Sequence, residues 1–153
     1  MDRDSCIAFI EHDYFGSVSA GDLDATMACF TEDARVAIRH GDQAVRRFAV
    51  QSTADADPLE DFYRHLCGNY EAWFGDFWHV VDTADARAAS RFTVRLTPKA
   101  DGRYADAGEQ TLLNCNFFEF DGAKIRDMII YYANPGSASP YGNQVGPTGY
   151  PRG

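Results

Sequence analysis

The stretch 112–135, LLNCNFFEFDGAKIRDMIIYYANP, constrains the fold more than any other part of the chain. Two apolar runs flank Asp121-Gly122, which predicts a β-hairpin because Asp and Gly tolerate the backbone conformations of a tight turn. Successive side chains of a strand point to opposite faces of the sheet. Both faces of both strands are largely apolar, so we expect each face to be covered by helices, a partner subunit or a ligand.

Two asparagines interrupt one apolar face of this hairpin. Asn114 and Asn116 alternate with Leu112, Phe118 and Phe120, so their amides share a face with large apolar side chains. A buried amide must find hydrogen-bond partners. Pairing with sheet backbone at an edge or bulge would supply them, and so would a bound ligand. We therefore treat Asn116 as a candidate site residue and Asn114 as a weaker second candidate.

The composition excludes several classes of partner. With 153 residues, 45% hydrophobic and 14% aromatic, the chain is long enough for one domain with a substantial core or an aromatic cavity. Its net charge of −9 argues against binding nucleic acid or anionic membranes. The N-terminus is too polar for a signal peptide, and no apolar run approaches the roughly 20 residues of a membrane span. We expect a soluble, cytoplasmic protein.

The cysteines and histidines do not show metal-ligand spacing. The histidines lack H-x-x-x-H and H-x-H motifs, and Asp61 with His65 fits an exposed helical pair better than a metal site. Phosphate loops, dinucleotide fingerprints and a nucleophile elbow are also absent from the sequence. We predict no metal and no cofactor. Widely spaced in apolar segments, the cysteines are expected to be free thiols in a reducing compartment: Cys6, Cys29, Cys67 and Cys115.

The remaining pattern predicts alternating helices and strands. Apolar residues recur at helical spacing between Ile7 and Val18, with Asp4 or Ser5 as the N-cap. The predicted order is this helix ending at Ala20-Gly21, a short helix capped by Asp22, a strand over 34–39, a helix over 58–74, strands over 77–83 and 87–97, and the hairpin.

The C-terminal segment differs from the rest of the chain. We assign one domain to residues 1–134 and a tail to residues 135–153, which is rich in Gly, Pro and Ser and cannot form a helix or an interior strand. We expect Tyr141 and Tyr150 to anchor the tail on the domain, on a partner subunit or at the mouth of a pocket.

This element order resembles the NTF2-like superfamily. The local sequence agrees over 14–25, over 29–36 and over 116–125, which resemble that family's N-terminal signature and terminal hairpin. The resemblance implies an α+β cone in which a curved antiparallel sheet wraps three helices and encloses a pocket. It is nearest the SnoaL-like branch, whose members act without cofactors on polyketide-type or other apolar ring substrates. The fold also hosts transport factors and oxygenase subunits, so the resemblance specifies no single function.

The resemblance carries over to individual positions. Tyr14 matches the tyrosine that binds the substrate oxygen in ketosteroid isomerases, whereas Ile38 stands where their general-base aspartate lies. Asn116 matches their second aspartate and also a pocket asparagine of scytalone dehydratase. His79 matches a catalytic histidine of scytalone dehydratase, whose second histidine has no match here.

These matches predict a proton-transfer site. We expect His79 to move a proton while Tyr14 and Asn116 hold the oxygen on which negative charge develops. The alternative for His79 and Tyr14 is an ordinary core residue with a satisfied polar group. The expected substrate-binding residues are Asn114, Val18, Ile38, Trp78, Phe118, Met128, Ile130 and Tyr132.

Charged residues near the expected pocket have weaker interpretations. One of three carboxylates could orient His79, although each fits a surface position or cap better: Asp13, Asp82 and Asp127. Arg91 and Arg95 fit a solvated or subunit-facing stripe, and would hold a substrate carboxylate only if their face turned inward.

We therefore predict a cofactor-independent lyase or isomerase acting on a small, apolar, aromatic or polycyclic substrate. One alternative is a non-catalytic ligand-binding or assembly module. Another is the small subunit of a ring-hydroxylating oxygenase, which would keep a large apolar surface for a partner chain. A homodimer or higher homo-oligomer is expected through the outer sheet face, at Cys115, Phe117, Ile129 and Tyr131.

Overall fold

The computed structural model describes residues 1–41 and 43–133. The helices are α1 (Arg3–Ala8), a π-helical segment (Phe9–Tyr14), α2 (Phe15–Ala20), α3 (Leu23–Ala28) and α4 (Leu59–Asn69). The strands are β1 (Phe30–Arg39), β2 (Arg46–Ala49), β3 (Asp57–Pro58), β4 (Tyr70–Asp82), β5 (Arg87–Pro98), β6 (Gln110–Asp121) and β7 (Lys124–Ala133). The predicted tail, with its anchors Tyr141 and Tyr150, lies outside the described residues.

All seven strands form one sheet in the order β3-β2-β1-β7-β6-β5-β4. The predicted hairpin is confirmed as β6 and β7, in which Asp121 pairs with Lys124 and Gly122 adopts a positive φ of 59°. The sheet is not antiparallel throughout, because β1 runs parallel to β7 and β2 parallel to β3. Curved around three helical segments, it gives the α+β cone that the sequence predicts.

The N-terminal helix runs without a break from α1 through the π-helical segment to α2. Its N-cap is Asp2, which accepts a hydrogen bond from the Ser5 backbone N–H, rather than the predicted Asp4 or Ser5. Gly21, with a φ of 69°, ends the helix in the left-handed conformation that favours glycine. Asp22 caps α3 by accepting from the Ala25 N–H, as predicted.

The predicted helix over 58–74 ends at Asn69, and its last predicted turn is the start of β4. Asn69 joins this point to the β5–β6 loop, because its backbone oxygen accepts from Lys99 N–H and its side-chain oxygen accepts from Arg103 N–H. In β4 the side chain of Trp73 lies on the outer face of the sheet and that of Phe74 on the inner face. Trp73 and Phe74 fit the helical pattern of the sequence, but they fit the alternating faces of a strand equally well.

The core lies between the helices and the inner face of the sheet. Phe15 of α2 packs against three phenylalanines of β4 and β5, with ring centroids 4.5–5.4 Å away: Phe74, Phe77 and Phe92. All four cysteines are free, and Cys6 and Cys29 are buried. The interior next to β4 is thus filled by aromatic side chains.

No helix or strand among residues 1–41 and 43–133 covers the outer face of the sheet. Large apolar side chains are exposed there on β4, β6 and β7: Trp73, Trp78, Val80, Leu113, Phe117 and Tyr131. No helix in the described part of the chain is long and apolar enough to cross a membrane.

Candidate active site

One register row crosses the inner face of the sheet and contains two of the predicted catalytic residues. His79 of β4 pairs with Ser90 of β5, Ser90 pairs with Asn116 of β6, and Asn116 pairs with Ile130 of β7. Ile130 in turn pairs with Ile38 of β1. The row therefore brings His79 and Asn116 to the same level of the cone, with the Ser90 hydroxyl between them.

Both ring nitrogens of His79 have hydrogen-bond partners. Nδ1 lies 2.7 Å from Ser90 Oγ, and Nε2 lies 2.7 Å from Glu11 Oε1. Phe77 stacks on the imidazole with ring centroids 5.4 Å apart. The His79 side chain is 6% exposed. These contacts hold the ring in one orientation against the inner face.

The three linked side chains run from solvent into the core. The Glu11 side chain is 30% exposed, whereas Ser90 is 0% exposed. A neutral imidazole can donate from Nε2 to the carboxylate and accept at Nδ1 from the Ser90 hydroxyl. An imidazolium can donate from both nitrogens, because the hydroxyl can rotate and accept instead. Both ring nitrogens therefore keep a hydrogen-bond partner in either protonation state.

Glu11 comes from the π-helical segment, a kind of helical irregularity that often marks functional sites. Sequence reasoning missed it; it considered Asp13, Asp82 and Asp127 as possible partners of His79, although it favoured a surface position or cap for each. Asp82 instead caps the β4–β5 turn, and Asp127 pairs with Arg126. A signal was present in the sequence, because Glu11 interrupts the apolar stripe of the first helix.

A bulge in β4 sets which aromatic side chains lie on the same face of the sheet as His79. The pairing register shifts between Gly75 and Trp78, and Asp76 within this bulge has a φ of 56°. His79 consequently points inward and Trp78 outward, where Trp78 is 59% exposed. Trp78 was predicted to bind substrate beside His79, and the structure corrects this prediction because the two side chains lie on opposite faces.

The arginines of β5 also lie on the outer face. The Arg91 guanidinium is 5.5 Å from the centroid of the Trp78 ring, and that of Arg95 is 4.6 Å from the Trp73 ring. Neither can meet a substrate carboxylate on the inner face, so the conditional role considered for them there does not apply.

Tyr14 is not available in the way the sequence predicts. Its hydroxyl lies 2.6 Å from the Tyr63 hydroxyl, and both side chains are buried. Burial raises the pKa of both phenols well above the usual value, so both remain neutral. Because the Tyr14 hydroxyl is engaged by α4, the structure does not support its predicted role of holding a substrate oxygen.

The side-chain amides of Asn116 and Asn114, which the sequence places on an apolar face, are incompletely hydrogen-bonded within the described residues. Asn116 is 1% exposed, and its Nδ2 lies 3.7 Å from Met128 Sδ, a weak acceptor. Its Oδ1, like that of Asn114, is buried without a hydrogen-bond partner among residues 1–41 and 43–133. Buried polar atoms of this kind are rare, because each costs about 1–3 kcal/mol.

The other predicted substrate-binding residues lie mostly in the packed core. Five of them are buried: Val18, Ile38, Phe118, Met128 and Ile130. Tyr132 is partly buried and stacks on His40, with ring centroids 4.2 Å apart. The described residues form cavities of 1720 Å³ and 490 Å³, and neither is lined by His79, Tyr14 or Asn116. Of the three linked side chains, that of Glu11 is the one that reaches solvent.

Metal ligands are not grouped in the described part of the chain, where no three His, Cys, Asp or Glu residues could together hold an ion. The chemistry available at the row and the helix beside it is that of the His79 imidazole, the Ser90 hydroxyl, the Asn116 amide and the Glu11 carboxylate.

Comparison with known proteins gives similarity in structure but not in sequence. No protein-family model and no curated protein matches the sequence. PrhC from Penicillium brasilianum is 16% identical over 85% of this chain and 81% of its own, with a TM-score of 0.64. The BvnE pinacolase from Penicillium brevicompactum is 14% identical over 85% and 86%, also with a TM-score of 0.64. A provisionally named polyketide cyclase from Pseudomonas putida is 22% identical over 79% and 86%, with a TM-score of 0.60.

The chain has the NTF2-like fold. The resemblance to the SnoaL-like branch agrees with these neighbours at the level of the fold. Within this NTF2-like cone, Ile38 belongs to the same row as His79, so the strand-one position expected to face the site does face it. Ile38 cannot accept a proton, and the titratable groups of the row are supplied instead by the first helix and by β4.

Proposed function

We propose that this chain is a cofactor-independent enzyme of the lyase or isomerase type that moves protons on a small apolar substrate. One observation carries the proposal: a buried imidazole is held between a solvent-reaching carboxylate and a buried hydroxyl, 2.7 Å from each. The substrate class that suits the site is an aromatic or polycyclic ketone, because apolar and aromatic side chains surround the row.

Glu11 is the group that touches the substrate, since it is the exposed member of the Glu11, His79 and Ser90 chain. Its carboxylate accepts a proton from the carbon next to a carbonyl group; the electron pair of that C–H bond forms a C=C bond, and the π pair of the carbonyl moves onto its oxygen to give an enolate. With its proton on Nδ1 and donated to the Ser90 hydroxyl oxygen, His79 takes the proton from Glu11 at Nε2 and becomes an imidazolium. Return of the proton to another carbon gives an isomerisation, and its transfer to a departing hydroxyl gives a dehydration.

The names of the structural neighbours support the same reaction class. They include a pinacolase and a provisionally named polyketide cyclase. Those names describe the neighbours. Their identities of 14% and 22% to this chain establish a shared fold alone.

A hydrogen-exchange assay tests the proposal without knowledge of the natural substrate. The protein is incubated in D₂O with 1-tetralone, 2-tetralone and their hydroxylated derivatives, and deuterium uptake next to the carbonyl is followed by NMR. The wild type is expected to accelerate uptake in at least one ketone above the rate without protein. Glu11→Gln removes the base and keeps its shape, and Glu32→Gln is the matched control because Glu32 is exposed on β1.

A second candidate function is a non-catalytic assembly subunit. The observation that favours it is the apolar outer face, which the described residues leave exposed, together with the 1720 Å³ groove that crosses that face. This candidate predicts no exchange by the isolated protein and a stable complex with a different chain on purification. The proton-transfer proposal predicts exchange by the isolated protein.

A further inference from the structure

The Ser90 hydroxyl is the partner of Nδ1 on the His79 ring. Glu11 contacts the other ring nitrogen, and the Phe77 ring stacks on the imidazole. Among residues 1–41 and 43–133, Ser90 Oγ is hydrogen-bonded to His79 Nδ1 alone, at 2.7 Å. A hydroxyl has one hydrogen to donate. When Nδ1 carries a proton and donates it to Oγ, the hydrogen of the hydroxyl must therefore point to a different acceptor.

Burial of Ser90 makes the position of this hydrogen important. Ser90 is 0% exposed, so bulk water does not reach its hydroxyl. A buried donor that is left without an acceptor is costly, and here the cost would oppose every form of His79 that carries a proton on Nδ1. These forms include the imidazolium of the proposed reaction. A protein acceptor next to Ser90 would remove this cost.

The side-chain oxygen of Asn116 lies beside this hydroxyl and has no donor. Ser90 and Asn116 are register partners on β5 and β6, and both side chains are buried on the inner face. Directly opposite side chains in an antiparallel pair have Cβ atoms about 4.5–5.5 Å apart. Asn116 Oδ1 is without a hydrogen-bond partner within the described part of the chain. An acceptor that lacks a donor is thus adjacent to a hydroxyl that needs an acceptor.

The Asn116 carboxamide is held only weakly in its present orientation. Its Nδ2 lies 3.7 Å from Met128 Sδ, and a thioether sulfur accepts but does not donate, so the nitrogen belongs on that side. Met128 is on β7, and β6 lies between β7 and β5. The other branch of the carboxamide, Oδ1, is therefore left for the side of Ser90. Because the terminal torsion of an asparagine is broad, a small turn brings Oδ1 to the hydroxyl.

We propose that Asn116 is a positioning residue that accepts the Ser90 hydroxyl hydrogen whenever Nδ1 of His79 is protonated. While Nδ1 has no proton, Ser90 donates to it and Asn116 Oδ1 has no partner, as in the structure. When Nδ1 is protonated, the hydroxyl accepts from Nδ1 and donates to Oδ1. Ser90 keeps its own proton throughout, so only the direction of the hydrogen bonds changes. The role in catalysis rests on the proposed function, in which Asn116 favours the imidazolium that forms when His79 takes the proton from Glu11.

Ring ¹⁵N NMR of His79 tests the inference without a substrate. The ring nitrogen shifts show whether Nδ1 carries a proton, and all samples are compared at the pH at which the wild type holds equal amounts of both forms. Asn116→Leu is expected to lower the ratio of protonated to unprotonated Nδ1 about fivefold, because the protonated form loses one hydrogen bond. Asn116→Ala should give the same fall, so the result does not depend on how leucine packs.

Asn114 provides the matched control. Its Oδ1 is also buried without a partner among the described residues, but its register partner on β5 is Phe92, which has no polar side-chain atom. Asn114→Leu should therefore leave the Nδ1 ratio unchanged. Ser90→Ala identifies the route, because without the hydroxyl Asn116→Leu should have no further effect on the ratio.

Three results would overturn the inference. The first is an unchanged ratio in both Asn116 variants, and the second is an equal fall in Asn114→Leu. The third is the full fall caused by Asn116→Leu when Ser90 is already alanine. The exchange assay fails separately: an inactive wild type with the expected NMR ratios contradicts the proposed function alone, and an active wild type with unchanged ratios contradicts this inference alone.

Discussion

Glu11 Oε1 lies 2.7 Å from Nε2 of His79, a residue 68 positions further along the chain. The contact joins the π-helical segment of the first helix to the edge strand of the sheet. It gives the buried imidazole of His79 a carboxylate partner whose side chain is 30% exposed. In the proposed function this pair, rather than His79 alone, exchanges protons with a substrate.

Asn116→Leu is expected to stabilise the protein. The substitution keeps the approximate shape and removes a buried amide oxygen that has no partner among the described residues, so the free energy of unfolding should rise by about 1–3 kcal/mol in urea titrations. Asn69→Leu is the contrasting control, because the Asn69 side chain bonds Arg103 N and His65 O and its loss should destabilise. A drop in stability for Asn116→Leu would show that the amide is satisfied in the folded protein.

The hydroxyls of Tyr14 and Tyr63 should behave as a coupled pair. Tyr14→Phe or Tyr63→Phe leaves the other buried hydroxyl without its partner and should cost about 1–3 kcal/mol of unfolding free energy. The double variant should cost less than the sum of the single variants, which a double-mutant cycle measures. Additive costs would mean that the 2.6 Å contact contributes no coupling.

Stability should fall in alkaline solution through the buried thiols. Burial, and then the Asp13 carboxylate, raise the pKa of Cys29 from 9.0 to about 11. The folded state therefore holds its proton more tightly than the unfolded state, and stability decreases as pH rises from 9 to about 11. Cys29→Ala should flatten the decline in that window, measured as unfolding free energy against pH. An unchanged slope would contradict the assignment to Cys29.

We propose that two copies of the chain associate through the outer sheet face. Phe117, Ile129 and Ala37 form an apolar row there, and the adjacent row contains the Arg87–Glu119 ion pair. An apolar face that the described residues leave exposed favours contact with a partner surface. Light scattering should give twice the monomer mass for the wild type and the monomer mass for Phe117→Arg. Ala25→Arg, on exposed α3, is the control, and a monomeric wild type would contradict the proposal.

The sequence predicts the parts of the fold that depend on local signals. The Asp121-Gly122 turn, the stop at Gly21 and the Asp22 cap are properties of short segments, and each is present in the structure. The end of α4 was placed five residues too late, at Phe74 instead of Asn69. The register with β5 draws those residues into β4, and pairing between distant segments leaves no mark on helical periodicity.

The candidate site was also predictable only in part, because some of its contacts depend on segments that are distant in the sequence. Asn116 was found because a polar residue on an apolar strand is conspicuous, and His79 was found through the family resemblance. Their shared row follows from strand pairing. The outward turn of Trp78 was not predictable, because it depends on the bulge at Asp76. The Tyr14–Tyr63 contact joins two helices whose packing the sequence does not specify.

Deuterium uptake by the reactive ketone in the exchange assay, compared between the wild type, Glu11→Gln, His79→Phe and the double variant, tests the central claim most directly. Each single variant should lose about 10²–10⁴ in rate, the usual contribution of a positioned acid–base group. The double variant should fall no further than the worse single variant, because residues that act as one unit are not additive. Uptake at the wild-type rate by Glu11→Gln and His79→Phe, or none by the wild type itself, would contradict the proton-transfer account.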